Sequence, residues 1–146
     1  VPAKVKINLA ALRPKPTEWL FSTLRDHRQS PEDVQDALGR ALMVAEFGEK
    51  DGRAKPLRGF SGVYQISAIH DDGNTYRLAY TVAMPLIIYV LHVWTKKSHF
   101  KDQTDKHDTD RINDRVGEIE KRYIGDVERN YGVTIVQGGK GEYDVR

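Results

Sequence analysis

The stretch from Val63 to Trp94 restricts the fold more than any other part of the chain. Three runs, VYQISAI, TYRLAYTV and LIIYVLHVW, are rich in β-branched and aromatic residues and are separated by short breaks. The first break, HDDGN, centres on Asp72–Gly73, a dipeptide that tolerates the positive φ of a hairpin turn. The second is a tight link through Met84–Pro85. Strand-like runs closed by such turns predict an antiparallel meander. In the middle run Tyr76, Leu78 and Tyr80 alternate with Arg77, Ala79 and Thr81, so the period of two sets Arg77 on the face opposite the two tyrosines. One apolar face under the helices and one more polar face carrying Arg77 are expected.

Helical spacing flanks the meander. In LRPKPTEWLFSTLRDHRQ, the spacing of Trp19, Leu20, Thr23 and Leu24 predicts a short helix from about Thr17 to Asp26. In SPEDVQDALGRALMVAEFGEKDG, Ser30 reads as an N-cap, Pro31 as the first helical residue and Asp33 as a weak capping box. Val34, Leu38, Ala41 and Ala45 form the apolar stripe of that helix, and Gly48 stands where a C′ glycine belongs. AKPLRGFSG, with Pro56, Gly59 and Gly62, reads as a loop. Beyond the meander, Ile112, Val116, Ile119 and Tyr123, continued by Val127, mark a long helix, and VTIVQGGKGEYDVR supplies a short strand that then frays.

The predicted fold is therefore α+β: an N-terminal helical hairpin packed on an antiparallel β-meander, with the helices on one sheet face, followed by a C-terminal helix. With 146 residues, positions 1–146 form one domain, and the segment from about 125 onward is a C-terminal extension.

The chain has no cysteine, which excludes disulfides and thiolate metal sites. Its longest apolar run, Val82 to Val90, is broken by Pro85 and falls short of the ~18 residues of a membrane span. The apolar part of VPAKVKINLA is too short and broken for a signal peptide, so a cytoplasmic protein without membrane contact is expected. A net charge of +2 predicts no nucleic-acid binding by itself. The distribution carries more information: Lys50, Arg53, Lys55, Arg58, Arg77, Lys96, Lys97 and Lys101 make the centre of the chain locally basic. In HVWTKKSHF, two lysines, two histidines and a tryptophan follow a run that should be buried. A solvated strand end explains the lysines; a site that grips a polyanion explains the whole group.

The segment containing AKPLRGF, then GNTYRLAYTV, then YVLHVWTKKS, in that order, resembles the phage-derived HigB-like toxins of the RelE/ParE superfamily. The preceding SPEDVQDALGRAL is similar to the helical hairpin of those proteins, and RINDRVGEIEKR sits where their next helix begins, so the resemblance spans roughly residues 17–120. It implies a RelE-like fold and the toxin of a type II toxin–antitoxin system that cuts messenger RNA on the translating ribosome. It also implies a helix-turn-helix antitoxin as partner. The ParE branch implies the alternative of a non-catalytic inhibitor of DNA gyrase, and a relative that only binds its antitoxin is the third reading. A basic cleft suits an acidic or amphipathic antitoxin segment.

Metal-free RNA cleavage needs a base for the ribose 2′-hydroxyl, a cation for the phosphorus oxygens and an acid for the leaving 5′-oxygen. Arg77, on a central strand, suits the second task because a guanidinium fork matches phosphate oxygens and stays charged. Lys96 and Lys97 are candidates for clamp or proton donor. His92, expected on the side of Val90 and Trp94, and His99, beyond the lysines, are candidate bases. Lys55 and Arg58 could grip RNA backbone, and Trp94 and Phe100 could stack a base. The histidines and carboxylates lack ligand spacing, so neither a metal nor another cofactor is expected. On the first meander strand, where ribosome-dependent nucleases of the superfamily often carry basic residues, this chain has Gln65 and Ser67.

Overall fold

The computed structural model describes residues 8–97, 105–135 and, for the backbone alone, 143–145. After a single 3-10 turn at Leu9–Ala11 come β1 (Thr17–Trp19), α1 (Thr23–Arg28), α2 (Glu32–Glu46), β2 (Ala54–Pro56), β3 (Val63–Ile69), β4 (Thr75–Thr81), β5 (Ile88–Lys96) and α3 (Lys106–Tyr131). A small pair, β6 (Val133–Ile135) and β7 (Tyr143–Val145), follows. The described residues thus form a mixed α+β fold, with a five-stranded sheet in the order β1-β5-β4-β3-β2 and three α-helices.

The meander forms where the alternation placed it. β3 and β4 pair from Val63↔Thr81 to Ile69↔Thr75, and β4 and β5 from Thr75↔Lys96 to Thr81↔Tyr89. Gly73 takes φ +83° in the connecting turn, and the Asp72 carboxylate accepts hydrogen bonds from the Asn74 amide at 2.8 Å and the Tyr76 hydroxyl at 3.2 Å. The expected loop at AKPLRGFSG instead opens with β2, paired antiparallel to β3. Pro56 is tolerated there because β2, among the described residues, is an edge strand with no outer neighbour to receive an amide.

The segment expected as one helix from Thr17 to Asp26 is two elements. Thr17–Trp19 runs parallel to β5, with Thr17↔Ile88 and Trp19↔Val90, and only from Thr23 does the chain become helical. The connection turns through Phe21, which is 64% exposed and adopts φ +52°, a left-handed conformation rare for a bulky side chain. The described chain therefore enters its helices from a strand, and the expected hairpin does not begin the fold.

α2 buries Val34, Leu38, Ala41 and Ala45 as its stripe predicts. Its N-terminus differs from expectation. Pro31 takes the cap position, the Ser30 hydroxyl donates to the His27 carbonyl, and the Asp33 carboxylate pairs with His70 Nδ1 at 2.9 Å rather than closing a capping box. Gly48 takes φ +87°, and its amide donates to the Ala45 carbonyl while that of Glu49 reaches Val44, which ends the helix as the C′ glycine predicts.

Helices cover both faces of the sheet, not one. Leu78 and Ala79, neighbours on β4 that point to opposite faces, are both 0% exposed. On one face Ile66, Leu78, Tyr80, Val90 and Val93 pack with the α2 stripe. On the other, Val63, Ala79, Tyr89, Leu91 and Trp94 pack with Ile112, Ile119 and Val127 of α3. The apolar stripe of α3 needs an apolar partner, and the face expected to be polar supplies it. Arg77, on that second face, is buried, at 4% exposure.

A bulge in β5 resets its parity. Ala79 faces His92 but Tyr80 faces Val90, leaving Leu91 as the extra residue. His92 therefore shares a face with Trp94, as expected, but not with Val90.

The far half of α3 is tied to β1 and β5 by a buried carboxylate. Asp126, 3% exposed, accepts from Tyr89 Oη at 2.8 Å, Arg122 Nε at 2.7 Å and Arg129 Nη2 at 2.8 Å. Glu18 of β1 takes hydrogen bonds from Arg129 and from Asn130. Burial works against the Asp126 charge, but the hydrogen bonds from Arg122, Tyr89 and Arg129 outweigh it and hold the carboxyl below its ordinary range.

Candidate functional site

Strand register assembles the candidate residues into rows across the α3-side face. Ser67, Arg77 and Trp94 form one row over β3, β4 and β5. Lys55, Gln65, Ala79 and His92 form the next, over β2 to β5. Lys96, opposite Thr75 and two residues beyond Trp94, returns to the same face. Arg77, Lys96, His92, Trp94 and Lys55 are thus brought onto one side of the sheet. Lys97 follows β5 and is exposed, off this alternation; Arg58 is exposed in the turn between β2 and β3. His99 and Phe100 lie outside the described residues.

Within the assembled group, exposure is uneven. Lys55 is exposed and Lys96 is partly buried, whereas Arg77, His92 and Trp94 are buried. The His92 and Trp94 rings stack at a centroid distance of 4.8 Å, 11° from parallel. Gln65 and Ser67 sit in the rows beside Arg77, half-buried, with Gln65 Nε2 donating to Ser67 Oγ at 3.3 Å. The positions nearest Arg77 on β3 are therefore uncharged.

His92 is held between α3 and its own strand. Its Nε2–H donates to the Asp108 carboxylate at 2.7 Å, and Nδ1 accepts from Arg115 Nη1 at 3.4 Å. The same Arg115 nitrogen donates to the Leu91 carbonyl at 2.6 Å. Burial lowers the His92 pKa, Asp108 partly restores it, and the nearby charges of Arg115 and Arg111 lower it further, so the ring is neutral. Both nitrogens are engaged in this arrangement. Taking a proton from a ribose hydroxyl requires the Arg115 contact to Nδ1 to open.

Asp108, Arg111 and Arg115 were not among the residues singled out from sequence. Their spacing of three and four places them on one side of α3 with Ile112, a signal visible in the sequence but outweighed by the conspicuous lysines of β5. Arg115 also lies over the ring of Phe21, with its guanidinium carbon 5.2 Å from the centroid. Of the other described histidines, His70 pairs with Asp33, His27 packs on Trp19 at 5.0 Å, and His107 is exposed on the first turn of α3 beside Asp108. Among the described residues no group of three or more His, Asp or Glu side chains comes together as metal ligands would. None of the described helices is long and apolar enough to cross a membrane.

The sequence of this α+β platform, rather than its geometry, gives its class: a toxin–antitoxin-associated, RelE-like family. Residues 25–117 match the family described as Phage derived protein Gp49-like (DUF891), and the chain belongs to that family. The match runs from within α1 through β5 and into the first half of α3; β1 and the Asp126 cluster lie outside it. No curated protein and no solved structure matches the chain.

Proposed function

We propose that the protein is the toxin of a type II toxin–antitoxin pair, of the HigB branch with a RelE-like fold. In this reading it is a cytoplasmic, metal-independent endoribonuclease that cuts messenger RNA on the translating ribosome. The observation that carries the proposal is the convergence of Arg77 and Lys96 on one face of a rigid sheet, in a member of the Gp49-like family. In the reaction the 2′-oxygen attacks phosphorus, the 5′-oxygen leaves, and a 2′,3′-cyclic phosphate remains. Arg77, buried in the free protein, must be uncovered to neutralise the non-bridging oxygens as charge builds there, and Lys96 or Lys97 protonates the leaving oxygen. His92, once Arg115 swings away, or His99 takes the 2′-proton. Lys55 and Arg58 hold the backbone on either side. Trp94, stacked on His92, fixes that ring, and Phe100 stacks the base. A helix-turn-helix antitoxin blocks this face with an acidic segment.

A second reading is favoured by the uncharged Gln65 and Ser67 beside Arg77 and by the engagement of both His92 nitrogens. On that reading the same face binds gyrase or the antitoxin without cutting anything. End-mapping of cellular messages after induction separates the two. The nuclease produces new internal ends within coding regions, lost in a folded Arg77→Gln variant. Growth arrest with intact messages and damaged DNA supports gyrase inhibition, and no arrest at all supports a protein that only binds its antitoxin.

A further inference from the structure

We propose that a second cleft, on the opposite face of the sheet from Arg77, binds a nucleotide through its phosphate. The cleft has a volume of about 420 Å³ and lies where the segment before β1 crosses the end of α2. Arg13, Lys15 and Lys50 line it, together with Tyr64, Tyr80 and a single carboxylate, Glu49. Its size falls within the ~300–1,000 Å³ of ordinary small-ligand pockets.

The donor set suits an oxyanion. None of the three cations forms an ion pair with a carboxylate among the described residues. Lys50 Nζ donates to the Ala54 carbonyl at 3.1 Å, and Arg13 Nη1 donates to the carbonyls of Ala10 and Leu12, which leaves most of their donors uncommitted. Burial chiefly, and then repulsion from the neighbouring charge of Arg13, lower the pKa of Lys15. A bound phosphate would relieve that repulsion. Burial, with the help of Tyr64 and Asp51, pushes the Tyr80 pKa up to about 12, so its hydroxyl remains a donor at neutral pH. Neither the Tyr64 nor the Tyr80 hydroxyl is hydrogen-bonded among the described residues.

The cleft is also built, in that a glycine makes room for it. A Cβ at Gly48 would come within 2.9 Å of Arg13 Nε, so any larger residue at the end of α2 displaces the guanidinium. The backbone of Lys15 is fixed by donation to the Glu46 carbonyl at 2.8 Å, and Thr17 Oγ1 donates to the Glu46 carboxylate at 2.6 Å. The rest of the wall is less polar. Tyr64 and Tyr80 stack at 5.7 Å, and Ala45 and Val82 lie beside them. Cations next to an aromatic and apolar surface match a phosphate joined to a base better than a bare anion. Arg13 and Lys15 precede the family-matched residues 25–117.

The inference does not rest on the cleavage reading, and its test involves no cleavage. Full-length protein is titrated with inorganic phosphate, guanosine 5′-monophosphate and a five-nucleotide single-stranded oligoribonucleotide, followed by amide shifts in NMR. Saturable shifts at residues 13–15, 48–50, 64 and 80 with the mononucleotide or the oligonucleotide are expected, with phosphate alone weaker. The double variant Arg13→Gln, Lys15→Gln weakens them at least tenfold, and Lys121→Ala, on the exposed side of α3, does not. Equal affinities for mononucleotide and strand indicate a free nucleotide; a much tighter strand indicates RNA. Absence of saturable binding, shifts centred elsewhere, or affinity retained within twofold by the double variant overturns the proposal. So does a glutamate-rich peptide that binds as tightly as the nucleotides, since that identifies a docking surface for an acidic protein segment.

Discussion

His92 brings the competing demands of packing and chemistry to a single side chain. It lies in the row next to Arg77, yet Asp108 and Arg115 occupy both of its nitrogens. Burial lowers its pKa and that of His27, so both contribute stability that is complete above the ordinary imidazole value of ~6.5. That stability is lost as pH falls below this value, because the unfolded chain takes up the protons first. His70 has the opposite sign. Its hydrogen bond to Asp33 raises its pKa, so its contribution is complete below ~6.5 and is lost as pH rises through the raised value. A His70→Gln variant is therefore expected to lose more melting temperature than the parent between pH 7.5 and pH 5.5, and a smaller loss contradicts this assignment. The position of His92 could be read from sequence only in part. Alternation paired it correctly with Trp94, but the extra residue Leu91 reversed its relation to Val90, and nothing in YVLHVW announces a bulge.

At the scale of elements, α3 determines more of the molecule than its place in the chain suggests. Its first turn pins His92, its middle buries Ile112 and Ile119 on the sheet, and its last turns carry the Asp126 cluster. Asp126→Ala leaves the Tyr89 hydroxyl and the Arg122 guanidinium without their shared acceptor, and should cost about 3–5 kcal/mol in chemical denaturation. Asp126→Asn, which keeps an acceptor but not the charge, should cost less. The Asp126 contribution is present above the ordinary carboxyl value of ~3.9 and is lost as pH falls through its lowered native value. Leu38→Ala, at a fully buried site under the sheet, should cost about 2–5 kcal/mol. A chain ended at Gly117 lacks Ile119, Val127 and Asp126 and is expected to give no cooperative unfolding transition, although it holds all of the family-matched residues. A cooperative transition from that fragment would show that the far half of α3 is dispensable.

The long elements were legible because their periods are long enough to be unambiguous. The α2 stripe, the α3 stripe and the three meander strands all lie where the spacing put them. The short strands were not. β1 has three residues, and Trp19, Leu20, Thr23 and Leu24 imitate helical spacing across the turn that separates β1 from α1. β2 carries a proline that argues for a loop until an edge position is known. The burial of Arg77 was illegible for another reason: alternation alone marks its face as polar, whereas that face is largely apolar and packed against α3.

At the scale of the whole molecule, the two proposed sites lie on opposite faces of the sheet. The α3 side gathers Arg77, Lys96 and His92, and the α2 side carries the tyrosine-floored cationic cleft. The most direct test of the central claim is cleavage of a defined end-labelled message in a reconstituted translation system. The wild-type protein should cut within the coding region only when ribosomes are bound. Arg77→Gln should slow cutting by about 100- to 1,000-fold, the loss expected for a single donor to the charged transition state, while still melting cooperatively. Messages left whole by the wild-type protein, or cut equally fast by a folded Arg77→Gln variant, would contradict the account.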